Sequence, residues 1–356
     1  MNNEFFEALD AIEKERHIPK DYMIEKVEAA LTAACKKEYG GLADITVIID
    51  PEKKDMKVYR KYKIVAEVEN PAVEMTKEDI EKFEAEMHEK GAKLKVKSRK
   101  RSVGSDYEYE LQTKEFRRLS AQNAKQVIIQ GIREAERNYQ AKEYEDKRGE
   151  MLSAVVTKVE DSTGTVVVDT GISQAALPKN EQIPGEHLCV GDRIKVFATQ
   201  VNAPDARGPL VTLTRLHPNL VKRLFETEVP EISDGTVIIK SISREAGSRT
   251  KIAVYSRDPE VDAVGACIGN KGARIATVVN ELNGEKIDVI PYSDDMAEYI
   301  KASLLPASVK SVEINGERSA KVVVPDDQLS LAIGKMGQNA RLAARLTGFK
   351  IDIKSE

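Results

Sequence analysis

The last third of this chain contains an internal repeat, and the repeat limits the possible folds more than any other feature of the sequence. Residues 264–272 (VGACIGNKG) match residues 329–337 (LSLAIGKMG), and residues 286–289 (KIDV) match residues 350–353 (KIDI). In both matches the second copy follows the first after nearly the same number of residues. A constant period indicates two copies of one structural unit, so we expect two small domains of the same fold.

The hydrophobic pattern around each copy predicts the same order of elements. Residues 251–254 (KIAV) match residues 321–324 (KVVV), and each stretch is preceded by a strand and a helix. Both copies are therefore predicted to run helix, strand, strand, helix, Gly-x-x-Gly, helix, strand. This is the order of a type II KH domain, and KH domains hold single-stranded nucleic acid.

Each Gly-x-x-Gly joins two predicted helices and is a candidate binding site. The second helix begins with unpaired N–H groups and a partial positive charge, which attract an anion. Glycines let a sugar–phosphate backbone approach closely, and a lysine in each loop can meet phosphate oxygens. Apolar residues that can form a groove for bases border the loops: Ile268, Ile275, Ile333 and Leu342. We expect RNA to contact Gly269, Asn270, Lys271, Gly272, Arg274, Gly334, Lys335, Met336, Gly337 and Arg341.

The glycines and the cations near them also have interpretations other than RNA binding through the loops. A loop with two glycines can be a plain turn between helices that binds nothing. Arg249 and Lys251, in the predicted hairpin of the first copy, are secondary candidates for RNA contact, with a solvated hairpin as the alternative. A dinucleotide site is excluded because Gly265, Gly269 and Gly272 have the spacing G-x-x-x-G-x-x-G, and no P-loop motif occurs in the sequence.

The overall composition points to no ligand by itself. Lys plus Arg number 55 and Asp plus Glu number 59, for a net charge of -4, so any anion site must be local. His187 and Cys189 lack two further metal ligands, and we predict neither a metal nor a cofactor. No apolar run approaches the roughly 18 residues of a membrane span, and the N-terminus is acidic, so we expect a cytoplasmic chain with no membrane contact.

The region before the repeat predicts two further domains. Two amphipathic helices, strands at 45–49 and 58–68, and a capping box at Thr76 and Asp79 open the chain. A long charged helix is predicted from Phe116 to about Tyr144. After Gly149, short alternating strands separated by glycines predict a five-stranded barrel.

Several motifs occur in the order typical of one protein family. They are residues 124–128 (AKQVI), 133–137 (REAER), 228–232 (EVPEI), 247–254 (GSRTKIAV), 264–269 (VGACIG) and 337–343 (GQNARLA). Over nearly its whole length the chain therefore resembles the NusA family of bacterial transcription factors. The resemblance implies an N-terminal domain that docks on RNA polymerase near the RNA exit, an OB barrel of the ribosomal S-one type and two KH domains.

The resemblance divides a multidomain α+β chain into four parts. We expect an N-terminal polymerase-binding domain with connector helix at 1–148, the barrel at 149–216, and type II KH domains at 217–292 and 293–356. It also implies a non-enzymatic elongation factor that modulates pausing, termination and antitermination. The implied partners are RNA polymerase, nascent single-stranded RNA, RNA hairpins and other antitermination factors, and we expect a monomer.

The barrel departs from the family pattern at its expected base-stacking residues. Barrels of this type usually carry aromatic residues around the first glycine turn, whereas Thr163 and Val166 stand around Gly164 here. The remaining candidates for RNA contact in the barrel are Lys195, Phe197 and Arg215.

Two other function classes share these modules. An RNA-degrading phosphorolytic nuclease also combines KH and S-one type modules, but its KH domain precedes the barrel and large catalytic domains come first. Asp294-Asp295 and Asp326-Asp327 resemble helix starts rather than a clustered pair that holds two metal ions. A translation or ribosome-assembly factor would share the RNA chemistry and differ in its partner.

The N-terminal domain has two candidate contact features. Phe5 and Phe6 cannot both lie on one helix stripe, so one of them is a candidate for exposure to polymerase, and two core residues are the alternative. A basic stripe alternates with Leu94, Val96 and Ser98 and consists of Lys93, Lys95, Lys97, Arg99 and Arg101. If the segment is extended, all five cations lie on one face. They would then either contact a nascent RNA hairpin or prevent a sheet edge from aggregating.

Overall fold

The computed structural model of the chain describes residues 2–16, 18–39, 41–90, 94–97, 101–111 and 113–356. The chain divides into two compact units, Met1–Lys142 and Glu143–Glu356. The helices are α1 (Asn2–Arg16), α2 (Lys20–Glu38), α3 (Lys77–Glu89), α4 (Thr113–Asp146), α5 (Pro218–Glu228), α6 (Pro230–Ser233), α7 (Ala263–Ile268), α8 (Ala273–Glu281), α9 (Met296–Ser303), α10 (Asp326–Ile333) and α11 (Gln338–Thr347). The strands are β1 (Asp44–Asp50), β2 (Asp55–Ile64), β3 (Glu74–Met75), β4 (Asp106–Glu110), β5 (Met151–Glu160), β6 (Thr165–Asp169), β7 (Gln174–Leu177), β8 (Arg193–Val201), β9 (Val211–Thr214), β10 (Val237–Glu245), β11 (Arg249–Ser256), β12 (Lys286–Pro291), β13 (Ser311–Ile314), β14 (Ser319–Val324) and β15 (Lys350–Ser355).

The first unit is an α+β domain built around β2. This strand pairs antiparallel with β1 and β4 and parallel with the short β3. Alternation along β1 buries Ile45, Val47 and Ile49 on one face, as the sequence pattern predicts. The predicted capping box is confirmed, because Thr76 Oγ1 accepts from the Asp79 N–H while Asp79 Oδ2 accepts from the Thr76 N–H, both at 3.2 Å.

Both N-terminal phenylalanines are core residues. Phe5 is 9% exposed and Phe6 1% exposed, and their rings meet edge to face with centroids 5.1 Å apart. The expectation that one of them is exposed is therefore wrong. A helix that is covered over a wide arc can bury two adjacent residues, whose directions differ by roughly 100°.

The described part of the basic stripe faces carboxylates. The pairs are Lys95–Glu110 at 3.5 Å, Lys97–Glu108 at 3.4 Å and Arg101–Glu84 at 2.8 Å. Val96 bridges to Tyr109 of β4, so the segment lies along the sheet. Lys93 and Arg99 are outside the described residues. Pairing with acids favours the edge-strand interpretation over contact with a hairpin.

The second unit begins with the barrel. Its five antiparallel strands have the order β7-β6-β5-β8-β9, and β7 approaches β9, which nearly closes the sheet. Tyr144, near the end of α4, is buried in the barrel core, and its hydroxyl lies 2.7 Å from Thr170 Oγ1. The second compact unit therefore starts before residue 149, the start expected from the sequence.

The repeat folds into two units of the same topology. In the first, β10 pairs antiparallel with β11, and β11 pairs parallel with β12. In the second, β13, β14 and β15 pair in the same way. The order of helices and strands agrees with the prediction in both copies. We call them the first and second KH units.

Arg215 joins the barrel to the first KH unit. Its side chain is 2% exposed and donates from Nε to Glu186 Oε2 at 3.0 Å. One terminal nitrogen donates to Lys195 O at 2.6 Å and to Glu281 Oε1 at 2.9 Å, and the other donates to Glu281 O at 2.8 Å. Glu186 and Lys195 belong to the barrel and Glu281 to α8, so one guanidinium connects both modules.

The structure contradicts two barrel candidates for RNA contact. Arg215 is buried, and its nitrogens already donate within this network. Phe197 is 3% exposed, stacks on His217 with ring centroids 4.8 Å apart and packs into the core of the first KH unit. Lys195 donates from Nζ to Ser153 Oγ at 2.7 Å and remains partly exposed. Residues that resemble a binding face in the sequence are here an internal joint.

The Arg215 network predicts a large loss of stability when its cation is removed. Replacing Arg215 with Ala leaves Glu186, 3% exposed, buried without its charged partner. We expect the free energy of unfolding to fall by about 3–5 kcal/mol in urea titrations. Lys158→Ala, which breaks an exposed pair with Glu160, is the control and should cost less than about 1 kcal/mol. Equal losses in the two variants would show that Arg215 is no more than a surface ion pair.

Candidate nucleic-acid interface

The two Gly-x-x-Gly loops have the same backbone geometry. Gly269 has φ 75° and ψ 175°, and Gly334 has φ 77° and ψ 171°. Gly272 and Gly337, which end the loops, have φ 77° and ψ 14° and φ 73° and ψ 15°. All four φ values lie in the left-handed region that glycine adopts without steric cost.

The third residue of each loop is also left-handed although it carries a side chain. Lys271 has φ 52° and ψ 29°, and Met336 has φ 50° and ψ 32°. Such a conformation costs of order 1–3 kcal/mol and is concentrated at functional sites. Its occurrence at the same place in both loops supports a binding role over a plain turn.

The two glycines of a loop are required for different reasons. A Cβ on Gly334 would lie 2.8 Å from the backbone nitrogen of Asn339, and a Cβ on Gly269 would lie 2.7 Å from Arg274 Cγ. A Cβ on Gly337 would meet no atom within 4 Å. The first glycine therefore allows the loop to pack on the following helix, and the second leaves open space where a ligand backbone can approach.

The helices after the loops begin without a side-chain cap. Within residues 113–356, all of which are described, this holds for both α8 and α11. The first N–H of each helix, on Ala273 and on Gln338, donates to a loop carbonyl, Asn270 O and Lys335 O, so what each helix offers an anion is the positive end of its dipole. Beside them the side chains of Asn270, Lys271, Lys335 and Met336 are exposed, Met336 at 87%. The structure thus brings the predicted loop residues together in two matching sites.

The apolar borders of the loops are partly as expected. Ile268 and Ile333 precede the first glycine of each loop and are each 37% exposed. Leu342, expected at the second groove, is fully buried in the core instead. Leu331, which was not expected there, is 43% exposed one turn before the second loop.

The two arginines predicted beside the loops do not occupy equivalent positions. Arg274 lies five residues after the first glycine of its loop, where the second unit has Asn339. Arg274 donates to Glu231 Oε2 at 3.0 Å and to Ala266 O at 2.7 Å. Asn339 is buried and donates to backbone carbonyls, including Ala332 O at 3.0 Å. Counting from the loop glycines in the repeat would have revealed this difference.

Arg341 is held by a residue of the first KH unit. It donates from Nε to Glu245 Oε1 at 2.7 Å and from a terminal nitrogen to Glu245 Oε2 at 3.2 Å. The other terminal nitrogen donates to Met336 O, in the loop, at 3.2 Å. The side chain is nevertheless 44% exposed. Arg341 is therefore at the surface and next to the loop, but it already has an anionic partner.

The structure corrects the prediction for Lys251. Its side chain is fully buried and donates from Nζ to Asp288 Oδ2 at 2.8 Å and to Leu305 O at 2.7 Å. Burial lowers the pKa of Lys251, and Asp288 opposes that effect. Lys251 is thus not accessible to RNA, nor is it part of a solvated hairpin. Arg249 forms two bonds to Asp288 and remains partly exposed, so its role stays a prediction.

The segment 247–254 is a joint among three modules. A Cβ on Gly247 would lie 2.8 Å from Pro184 O of the barrel, so glycine is needed for this close approach. Thr250 donates to the buried Glu285 at 2.5 Å, and Ser248 Oγ accepts from Gln338 of the second KH unit at 2.8 Å. Residues 247–254, which include the secondary candidates Arg249 and Lys251, therefore serve chiefly to join the modules.

The two KH units are packed directly against each other. Ser241 Oγ lies 2.8 Å from the Tyr299 hydroxyl and donates to Leu346 O at 3.0 Å. Ala253 and Ile290 of the first unit form a buried cluster with Tyr299 and Leu346 of the second. This packing fixes the spacing of the two loops.

A groove of about 520 Å³ lies where the first KH unit meets the second loop. Ser248, Arg249 and Lys286 line one side, and Leu331, Lys335 and Gln338 line the other. Sequence reasoning identified Arg249 and Lys335 but not the rest, because the groove forms between units distant in the sequence. It can accept a chain with both apolar and anionic parts.

The described residues contain neither a cluster of metal ligands nor a membrane-spanning helix. No group of three His, Cys, Asp or Glu side chains there could hold a metal ion. No described helix is long and apolar enough to cross a membrane.

Comparison with known proteins identifies relatives along the whole chain. Family profiles match as follows: NusA N-terminal domain at residues 4–138, NusA-like first KH domain at 215–292 and NusA-like second KH domain at 296–356. The transcription termination/antitermination protein NusA of Halalkalibacterium halodurans is 43% identical, with 100% of this chain and 89% of that protein covered. The NusA proteins of Bacillus subtilis and Thermus thermophilus are 43% and 39% identical, with 100% and 99% of this chain and 92% and 89% of those proteins covered.

The different roles of the loop glycines predict different costs of substitution. Gly334→Ala should cost about 1–3 kcal/mol from backbone conformation alone, and the approach to Asn339 adds to this. Gly337→Ala should cost about 1–2 kcal/mol, the price of a left-handed conformation without a clash. Thermal unfolding of the two variants measures the difference. Equal or reversed stabilities would contradict the assigned packing of the first glycine.

Proposed function

Since the chain belongs to the NusA family of transcription termination/antitermination proteins, we propose that it docks on RNA polymerase and binds nascent RNA through its two KH loops. By this contact it modulates pausing, termination and antitermination. The single observation that carries RNA binding is the matched geometry of the loops at 269–272 and 334–337. The two copies of the repeat have different residues inside the loop and reach the same strained backbone, with an exposed lysine and a helix without a side-chain cap in each.

The proposed RNA contacts are the loop residues and their neighbours. Asn270, Lys271, Lys335 and Met336 are exposed, and Gly272 and Gly337 leave space beside the loops for a ligand backbone. Arg274 and Arg341 border the loops, and Arg249 and Lys286 extend the basic surface along the groove. A KH unit clamps about four nucleotides, so two units side by side can follow one single strand.

Fixed spacing of the modules supports this arrangement. The barrel, the first KH unit and the second KH unit are joined by the Arg215 network and by the packing of Tyr299 and Leu346. Because the loops do not move independently, binding of one stretch of RNA raises the effective concentration of the next stretch at the other loop. We therefore propose one continuous RNA path over both units.

The domain assignment follows the same division. We propose polymerase docking for the first compact unit, Met1–Lys142, and RNA contact for Glu143–Glu356, which contains the barrel and both KH units. The boundaries expected at residues 216/217 and 292/293 fall between β9 and α5 and between β12 and α9. The profile of the NusA N-terminal domain over residues 4–138 supports the assignment of the first unit.

We propose that the chain acts without catalysis. The curated relatives are named as transcription factors. Incubation of the protein with labelled RNA, magnesium and phosphate tests the alternative of a phosphorolytic nuclease, for which the RNA would become shorter. A translation or ribosome-assembly role is tested by the partner recovered with the first compact unit.

Negative charge in both loops should abolish most RNA binding. Replacing Asn270, Lys271, Lys335 and Met336 with Asp places carboxylates against phosphate, and we expect affinity for single-stranded RNA to fall about tenfold or more. Fluorescence anisotropy with labelled RNA measures the change. The matched control, Lys158→Asp with Lys301→Asp and Lys310→Asp, makes the same change in net charge at exposed sites away from the loops. If both variants lose the same affinity while remaining folded, the loops are not the binding site.

Polymerase docking should depend on the first compact unit. A fragment Glu143–Glu356 keeps Tyr144, which completes the barrel core, and we expect it to bind RNA. It should lose most of its affinity for core RNA polymerase, as measured by co-sedimentation or biolayer interferometry against the full chain. Thermal unfolding checks that the fragment is folded. Retention of full polymerase affinity by a folded fragment would refute docking by the first unit.

A further inference from the structure

Glu245 is the meeting point of several donor side chains from another module. It ends β10 of the first KH unit, and its carboxylate faces α11 of the second. Arg341 donates to both carboxylate oxygens, at 2.7 and 3.2 Å, and Gln338 Nε2 donates to Oε2 at 2.9 Å. A nitrogen of Arg345 lies 3.8 Å from Oε1. One carboxylate thus accepts hydrogen bonds from Arg341 and Gln338 and lies within ion-pair distance of Arg345, all three on the helix that follows the second loop.

These donors have the geometry that also holds a phosphate. A guanidinium that presents Nε and one terminal nitrogen binds carboxylates and phosphates through the same pair of parallel hydrogen bonds. Glu245 remains 23% exposed and Arg341 44% exposed, so the pair lies at the surface rather than in the core. The hydrogen bond from Arg341 holds the pKa of Glu245 below its ordinary value, so the carboxylate is ionised at neutral pH.

The donors also lie on the expected course of an RNA strand. Arg341 donates to Met336 O within the second loop, and Gln338 lines the groove between the units. Gln338 bonds to Ser248 on the opposite wall and to Glu245 at the same time. Glu245 is therefore one hydrogen bond away from a residue that lines the groove.

Within residues 217–292, all of which the structure describes, the first KH unit has no corresponding arginine paired across a module boundary beside its loop. At the position equivalent to Arg341 it has Ala276, and its loop-flanking Arg274 pairs with Glu231, a residue of the same unit. The cation beside the second loop is the one whose partner is supplied by the neighbouring unit. Because Arg341 contacts both the second loop and Glu245 of the first unit, ligand binding at the second loop can change the contact between the two units.

We propose that Glu245 occupies, in the RNA-free protein, an anion site formed by Gln338, Arg341 and Arg345, and that a backbone phosphate of bound RNA takes its place. The proposal rests on the RNA-binding function above and deepens it. Glu245 is then an internal competitor that lowers the affinity of the second unit for RNA. Exchange of carboxylate for phosphate releases one contact between the units, while the Ser241, Tyr299 and Leu346 packing keeps them joined.

The effect of removing the competitor is set by the strength of a partly exposed ion pair. Such pairs are weak, so we expect Glu245→Gln to bind single-stranded RNA about two- to fivefold more tightly. Glutamine keeps the size of the side chain and one acceptor oxygen, which preserves the fold. The probe is a fluorescein-labelled, mixed-sequence RNA of about ten nucleotides, long enough for two units that clamp about four each.

Two comparisons separate competition from a general effect of charge. Glu313→Gln removes the same charge from the exposed strand β13 and should change affinity little. In an Arg341→Gln background, Glu245→Gln should bring no more gain than this control, because the cation it releases is gone. Thermal unfolding of each variant confirms that the fold is retained.

The outcomes distinguish this proposal from the function on which it rests. A gain that is specific to Glu245 and dependent on Arg341 supports the proposal. Weaker binding by Glu245→Gln would overturn it by showing that Glu245 orients Arg341 for RNA. A gain equal to that of Glu313→Gln, or one that persists without Arg341, would also overturn it while RNA binding itself stands. Failure of the unmodified protein to bind the RNA would overturn both proposals.

Discussion

The two loops depend on a backbone conformation that only glycine adopts readily. At Gly269 and Gly334 the combination of positive φ with ψ near 170° is practically confined to glycine. It turns the chain sharply between two helices and brings the second helix within van der Waals contact of the loop. The positive ends of α8 and α11, which lack side-chain caps, are thereby presented beside exposed lysines. If this backbone changed, neither helix start would face the same ligand.

The arrangement of the barrel and the two KH units depends on buried polar contacts. Arg215 bridges the barrel and α8, Glu285 accepts from Thr250 within the first KH unit, and Lys251 of the first KH unit donates to Leu305 O of the second. Buried ion pairs contribute little net stability compared with apolar packing, but removing one partner is costly. Their effect here is to fix one arrangement of the modules. The second compact unit, Glu143–Glu356, can then present both KH loops together.

The repeat allowed most of the fold to be predicted, and the joints explain the exceptions. The order of elements in both KH units follows from local periodicity and glycine positions, which need no knowledge of distant contacts. The pattern predicts five strands for the barrel but does not locate β7, because Gln174–Leu177 is four residues long and contains no β-branched or aromatic side chain. Lys251, Phe197 and Arg215 were predicted at a binding surface since each resembles a contact residue in the sequence. They are buried by partners up to 66 residues away, and no local pattern reports such burial.

Mapping of RNA contacts tests the central claim most directly. Ultraviolet cross-linking of the full chain to single-stranded RNA, followed by mass spectrometry of the joined peptides, identifies the residues that touch the strand. The account predicts cross-links in both 268–274 and 333–341, with none at the buried Phe197 or Lys251. Cross-links confined to the barrel, or to one KH unit alone, would contradict an RNA path that runs over the paired loops.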